Sequence, residues 1–280
     1  GTLPALHLTR GDLHDGIRES ARRASTGPRG IRSALVVAGV SLAFVLLVGA
    51  GLLLRSVQRP LGVSAGFDAS QVLAMQVQTS GPRFADDSAA SRFFTRALHA
   101  VRDVPGVASA GFTSQLPLSG DAERFGAQFE NVTDAREDRG VFVYAAAPGY
   151  LETMRIPRVS GRSIGVQDVA GAPISVLISR SLAARMFPGQ NPIGHRVRVG
   201  RPDQPWFTIV GVVGDVKHLS LSDRDADAVY VSSDQWYVMN RAMWLVVRGS
   251  GDVSRLVPAI RAAIWSVDRD QPISRITPMD

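Results

Sequence analysis

The 280-residue chain has no cysteine, and a single lysine, Lys217, against 30 arginines. Without cysteine there is no thiol catalysis and no disulfide scaffold, and an exported domain of moderate size can bury enough core to dispense with bridges. The lysine scarcity reads as genome composition and carries no functional content. A G-x-x-x-x-G-K-S/T phosphate loop is also absent, so the chain is not expected to be an ATPase. Its five histidines, His7, His14, His99, His195 and His218, show no H-E-x-x-H or similar ligand spacing, and no metal or cofactor is expected. Asp223, Asp225 and Asp227 in DRDAD lack the glycine and terminal glutamate of a calcium loop and read as a solvated turn.

Two remaining patterns suggest chemistry only by their letters. Residues 62–66, GVSAG, match G-x-S-x-G, but a nucleophile elbow needs a buried strand before Ser64 and a helix after it, whereas QRPL and FDAS flank it here. His218 beside Asp215 and Lys217 reads as a solvated polar loop. Asn131-Val132-Thr133 is a glycosylation sequon by pattern alone. No catalytic, cofactor-binding or metal-binding residue is therefore assigned.

What the sequence does have is one long apolar run. Arg32 and Arg55 enclose 22 residues, SALVVAGVSLAFVLLVGAGLLL, without a charge. As a helix these rise about 33 Å at about 1.5 Å per residue, enough for a hydrocarbon core of about 30 Å and longer than a buried core helix needs. A cleaved export signal is the rival reading, since Val48-Gly49-Ala50 offers small residues at suitable spacing. The 32 residues before the run, the opening at Gly1 and the continuation through Leu52, Leu53 and Leu54 favour a retained helix over residues 31–55. Gly39 and Ala43, joined by Gly49 and Gly51, form small-residue positions that would let another helix approach closely.

Arginine counting orients that helix. Residues 1–32 carry six arginines against Asp12, Asp15 and Glu19, a net of +3, while residues 56–280 carry a net of only +2. The positive-inside bias places the linker 1–30 in the cytoplasm and residues 56–280 outside, in the periplasm of a cell with an inner membrane. The basicity thus marks topology, and no nucleic-acid surface is expected, because no basic stripe with interleaved aromatics is present.

The outer 225 residues hold a recurring pattern. QVLAMQVQT (71–79) alternates as a strand, 86–104 forms a helix with Phe93, Phe94, Ala97, Leu98 and Val101 on one face, and GVASAGFTS (106–114) alternates again. Later, AMWLVVRG (242–249), a helix over 252–267 with Leu256, Ile260, Ala263, Ile264 and Val267 inward, and PISRITPM (272–279) repeat that order. Each helix opens at an aspartate, a favoured N-cap. Two strand–helix–strand units on one sheet make a ferredoxin-like split arrangement. Between them, residues 115–227 hold shorter strands punctuated by Gly and Pro and one helix, SRSLAARMF (179–187). The expected fold class is α+β: an N-terminal membrane helix, then a split domain, 56–114 and 228–280, with a mainly β insertion at 115–227.

Several stretches resemble the MacB/FtsX-like family of ABC transporter permeases, in particular its large duplicated members. They are RSALVVAGVSLAFVLLVGAGLLLRS (32–56), GFD (66–68), PGV (105–107), LPLSG (116–120), PGYLETMRIPRVSGR (148–162), ISRSLAARMFPGQNPIGHRV (178–197), TIVGVVGDVKHLSL (208–221) and LVVRGSGDVSRLVPAIRAAIWSVDRDQPI (245–273). They run in family order over nearly the whole chain. LHLTRGDLHDGIRESARR (6–23) resembles the linker between two permease halves, and Gly39 departs from the family by standing where a polar glutamine is expected.

The resemblance implies an extracytoplasmic core with a porter-like and an inserted Sabre-like subdomain. It also implies helices of a second permease half as neighbours in the lipid bilayer, and a separate ATP-binding domain or subunit. The expected function is a permease component for export or mechanotransmission, acting by contact with cargo or partners. A single-pass or signal-cleaved extracytoplasmic binding protein is the alternative.

Overall fold

The computed structural model describes residues 28–61, 64–130, 140–223, 226–238 and 240–279. The chain divides into two compact units, 1–62 and 63–280.

The first unit contains helix α1 (Pro28–Leu61). Its stretch Arg32–Leu52 has a mean hydropathy of 2.6 and buries nothing, and it is the one helix among the described residues long and apolar enough to cross a membrane. Leu35, Phe44 and Leu47 stand between 67 % and 72 % exposed, as side chains do when lipid and not protein must cover them.

The second unit is built on one twelve-stranded mixed sheet. Its first part uses β1 (Val72–Gln78), α2 (Asp87–Arg102), β2 (Val107–Thr113), β11 (Ala242–Gly249), α5 (Val257–Val267) and β12 (Ile273–Pro278). The strands lie in the order β12-β1-β11-β2, all antiparallel. This is the ferredoxin-like order that two interlocked strand–helix–strand units produce. Asp86 caps α2 by accepting from the Ser88 amide, and Asp252 caps a 3-10 turn at 253–256 in the same way. Pro258 lies in the first turn of α5 and lacks an amide proton, so the segment begins as 3-10 and becomes α only at Val257.

Alternation divides the side chains of these strands between two cores. Leu73, Met75, Val77, Met243, Leu245 and Val247 pack against Phe93, Phe94, Leu98 and Val101 of α2 and Ile260 and Ile264 of α5. Val72, Ala74, Trp244 and Val246 face the other way, into a second core. That core runs on through Tyr144, Tyr150, Leu177, Val213 and Tyr230, so it is shared with the rest of the sheet.

The remainder comprises β3 (Arg124–Phe125), β4 (Ala127–Phe129), β5 (Val141–Ala146), α3 (Tyr150–Thr153), β6 (Arg158–Gly161), β7 (Ser175–Ser179), α4 (Arg180–Met186), β8 (Arg196–Val199), β9 (Phe207–Val213) and β10 (Ala228–Ser232). The sheet continues β2-β5-β10-β7-β9-β8-β4, with parallel pairs β5–β10 and β7–β9. One pairing bears on the sequence-based boundary at 228. β10 bonds to β5 and β7, and Trp236 packs with Phe129, Phe207 and Val231, so residues 228–236 are hydrogen-bonded and packed with the inserted strands. AVYVS is buried on both faces, and a uniformly apolar strand carries no mark of which neighbours it takes.

Candidate functional site

The residues just after the first unit form an irregular stretch, 64–70, that precedes β1 and cannot fasten itself through a ladder. Its backbone carbonyls therefore need donors from elsewhere. Arg248 supplies them. On β11 it follows Trp244 and Val246 in phase, so alternation directs its side chain to the face shared with Val72 and Ala74, where it is only 6 % exposed. Its guanidinium donates to the carbonyls of Thr153 (2.9 Å), Ser70 (2.5 Å) and Asp68 (2.6 Å). A planar fork with five fixed N–H groups suits three separate acceptors in a way an ammonium does not. Burial lowers the Arg248 pKa and nearby Arg155 adds to the effect, while Asp68 opposes it.

Asp68 completes the clamp. Its amide donates to the Met154 carbonyl at 3.0 Å, and its carboxylate accepts from Arg155 at 2.6 Å and from the Ser70 hydroxyl and amide. Those bonds, led by the Ser70 hydroxyl, lower its pKa to about 2. Thr153, Met154 and Arg155 are positioned by α3, whose Tyr150 lies flat against β2. A Cβ on Gly111 would stand 2.5 Å from the Tyr150 Cα, so only glycine permits that approach.

A second fastening involves the loop after β9. Lys217 donates its amide to the Ala65 carbonyl at 2.9 Å, and Gly66, at φ +84°, packs directly on the Asp215 carbonyl. The Asp215 carboxylate accepts the Ser181 amide at 2.7 Å at the start of α4, and the Leu118 amide donates to the His218 carbonyl at 2.8 Å. Six stretches far apart in sequence thus meet here: GFD, LPLSG, PGYLETMRIP, ISRSLAAR, VVGDVKHL and LVVRG. The arrangement fastens one backbone segment to three parts of the sheet.

The residues tested for chemistry fall out differently. Ser64 accepts the Gly66 amide at 3.2 Å, a turn-closing bond. His218 is not in a solvated loop, as its sequence neighbours suggested. It is 2 % exposed, its ring stacks on Phe142 at 4.0 Å, and Nδ1 lies 2.7 Å from the Tyr144 hydroxyl. Burial raises the Tyr144 pKa well above its ordinary value, so the hydroxyl keeps its proton. Asp227 holds Arg185 and the Ser181 hydroxyl. Asp225 and the sequon Asn131–Thr133 lie outside the described residues. Among the described residues no three His, Asp or Glu side chains are placed to hold a metal ion. Gly39, Gly49 and Gly51 have no atom within 4 Å of a would-be Cβ, and Ala43 is exposed.

The model of the family described as MacB-like periplasmic core domain matches residues 33–263, from within α1 to within α5. The chain belongs to that family. The family is a component of ABC-type transporter permeases, and the mixed sheet with its N-terminal apolar helix agrees with its fold. The periplasmic region of MacB from Actinobacillus actinomycetemcomitans is 15 % identical, with a TM-score of 0.51 over 78 % of this chain and 94 % of that one. The extracellular domain of the noncanonic ABC-type transporter YknZ from Gram-positive bacteria is 12 % identical, with a TM-score of 0.47 over 72 % and 100 % of the two chains. No curated protein matches. Sequence reasoning did not single out Arg248 in this MacB-like domain, although LVVRG contained the signal: a charge two residues after Val246 and four after Trp244 is in phase with a buried face.

Proposed function

We propose that this chain is the outer-domain part of a MacB-like permease that works by transmitting motion, without chemistry of its own. The observation that supports this reading is the Arg248–Asp68 clamp, which binds the first described residues of the outer unit to β11, an interior strand of its sheet. In this reading α1 lies in the bilayer beside helices of another permease half, with Gly39, Ala43, Gly49 and Gly51 as the close-approach face. A separate ATP-binding domain or subunit supplies the energy, and the outer unit contacts cargo or partner proteins for export or mechanotransmission. Its porter-like part comprises 56–114 and 228–280, with β10 packed on the side of the Sabre-like insertion, 115–227.

Inserting Gly-Gly after Ser64 should abolish the export or growth phenotype of the intact permease while protein abundance and the protease resistance of the outer unit stay normal. Two flexible residues remove the tension path but leave every clamp bond available. An unchanged phenotype would rule out transmission through this segment. Orientation has its own test. A reporter fused after Arg23 should be inaccessible from outside, and one at Gly81, in an exposed turn, should be accessible. A released product beginning near Gly51 would establish a cleaved signal and an extracytoplasmic binding protein instead.

A further inference from the structure

A cavity of about 240 Å³ opens between α2 and the loop that follows β6, and it shares no residue with the clamp. Phe94, Leu98, Phe112 and Met243 give it an apolar wall. Val166 and Val169, on the loop, stand at its mouth, 86 % and 47 % exposed. Apolar side chains of a floppy loop would fold inward, but this loop is pinned. Arg162 grips Asp168 through two bonds of 2.7 and 2.8 Å, with the Asp168 side chain 2 % exposed. The Gly165 amide donates to the same carboxylate at 2.9 Å, and the buried Gln235 amide donates to the carbonyls of Val169, Ala172 and Pro173. A buried polar framework therefore holds two valines in water beside an apolar cavity, an arrangement that becomes favourable when an apolar group covers them.

The charges around the cavity say what that group carries. Asp168 is matched by Arg162, and Arg102, the cation of the lining, donates to the carbonyls of Ala110 and Pro148 and has the Glu152 carboxylate as its counter-charge. His99 lies exposed at the rim. Asp234 is different: its carboxylate accepts only the Ser91 hydroxyl, at 2.9 Å, and among the described residues no cation pairs with it. An apolar cavity with one unmatched carboxylate at its edge is complementary to a hydrophobic body bearing an ammonium group. The volume lies just under the roughly 300–1,000 Å³ of drug-sized pockets, so a ring with a short chain fits. We infer that this cavity is a binding site for a small amphipathic cation, with its apolar part against Phe94, Leu98 and Met243 and its ammonium at Asp234. This inference does not depend on the transmission reading.

Met243 provides a local reporter. The full chain in detergent, with 13C-methyl methionine, is titrated with 3-phenylpropylamine and with its uncharged analogue 3-phenylpropanol. The amine should shift the Met243 methyl signal at a concentration at least about fivefold lower than the alcohol. Asp234→Asn should erase that preference while both probes still shift Met243. Thr95→Trp, at an exposed position on α2 at the cavity mouth, should block both. Equal action of amine and alcohol on the unaltered chain would overturn the inference. A silent Met243, or an equal shift at Met186 in a different core, would do the same.

Discussion

Arg248→Met should lower the thermal midpoint of the outer unit by several degrees. The substitution keeps length and apolar bulk but strips the donors from three carbonyls, those of Asp68, Ser70 and Thr153, and removes a cation beside the Asp68 carboxylate. The Thr153 carbonyl, on a buried bond, would lose its donor at about 1–3 kcal/mol, while the half-exposed carbonyls of Asp68 and Ser70 can turn to water and add less. Taking about 2–3 kcal/mol for the whole, the thermal midpoint of a unit this size should fall by roughly 4–12 °C, at about 2–4 °C per kcal/mol. Arg248→Lys should recover little, because one ammonium cannot reach three carbonyls in a plane. A midpoint within about 2 °C of the unaltered chain for Arg248→Met would show that these carbonyls find other donors, and the clamp would lose its energetic meaning.

Gly66→Ala should be the most damaging single methyl at the same site. Gly66 has φ +84°, where an L-residue pays about 1–2 kcal/mol, and its Cβ would overlap the Asp215 carbonyl and approach the Val216 Cα to 2.9 Å. Both neighbours are backbone, so relief requires the 214–217 loop to move and the Lys217–Ala65 bond to open. Overpacking of this kind adds about 1–3 kcal/mol. Lower protein abundance together with faster proteolysis near residues 64–70 is the expected readout. Gly120→Ala, at φ +85° but with open space around the Cβ, separates the backbone cost from the collision, and it should be clearly milder. Equal effects at the two positions would refute the packing argument.

The split sheet was legible because its two halves repeat one pattern of alternation and helical periodicity, and Phe93, Phe94, Ala97, Leu98 and Val101 pack inward as their spacing implies. The clamp was less legible. Arg248 could be placed on the buried face by counting from Trp244, but nothing in LVVRG says that carbonyls of Asp68, Ser70 and Thr153 wait there, because those residues are distant in sequence and their backbone groups are identical in every chain. His218 was misleading for the opposite reason. Its local companions, Asp215 and Lys217, are polar, whereas the partners that decide its burial, Phe142 and Tyr144, lie on β5. The side taken by β10 depends on pairing, which a uniformly apolar strand does not encode.

The geometry of the sheet edge sets how this unit bears a load. The Met279 amide donates to the Val72 carbonyl at 2.9 Å, so the last described residue lies beside the first residue of β1, and β12 runs antiparallel to it. A pull on those two neighbouring ends would peel β12 from β1 like a zipper, breaking one hydrogen bond at a time, which is the weak direction of a sheet. Arg248 acts on the other end of that path. By gripping Ser70 and Asp68 from β11, it ties residues 64–70 to the strand on the far side of β1, so a load entering there is shared with the seven residue pairs of the β1–β11 ladder. The β12–β1 margin keeps its weak direction, and in the transmission reading it is the place where the unit would yield first.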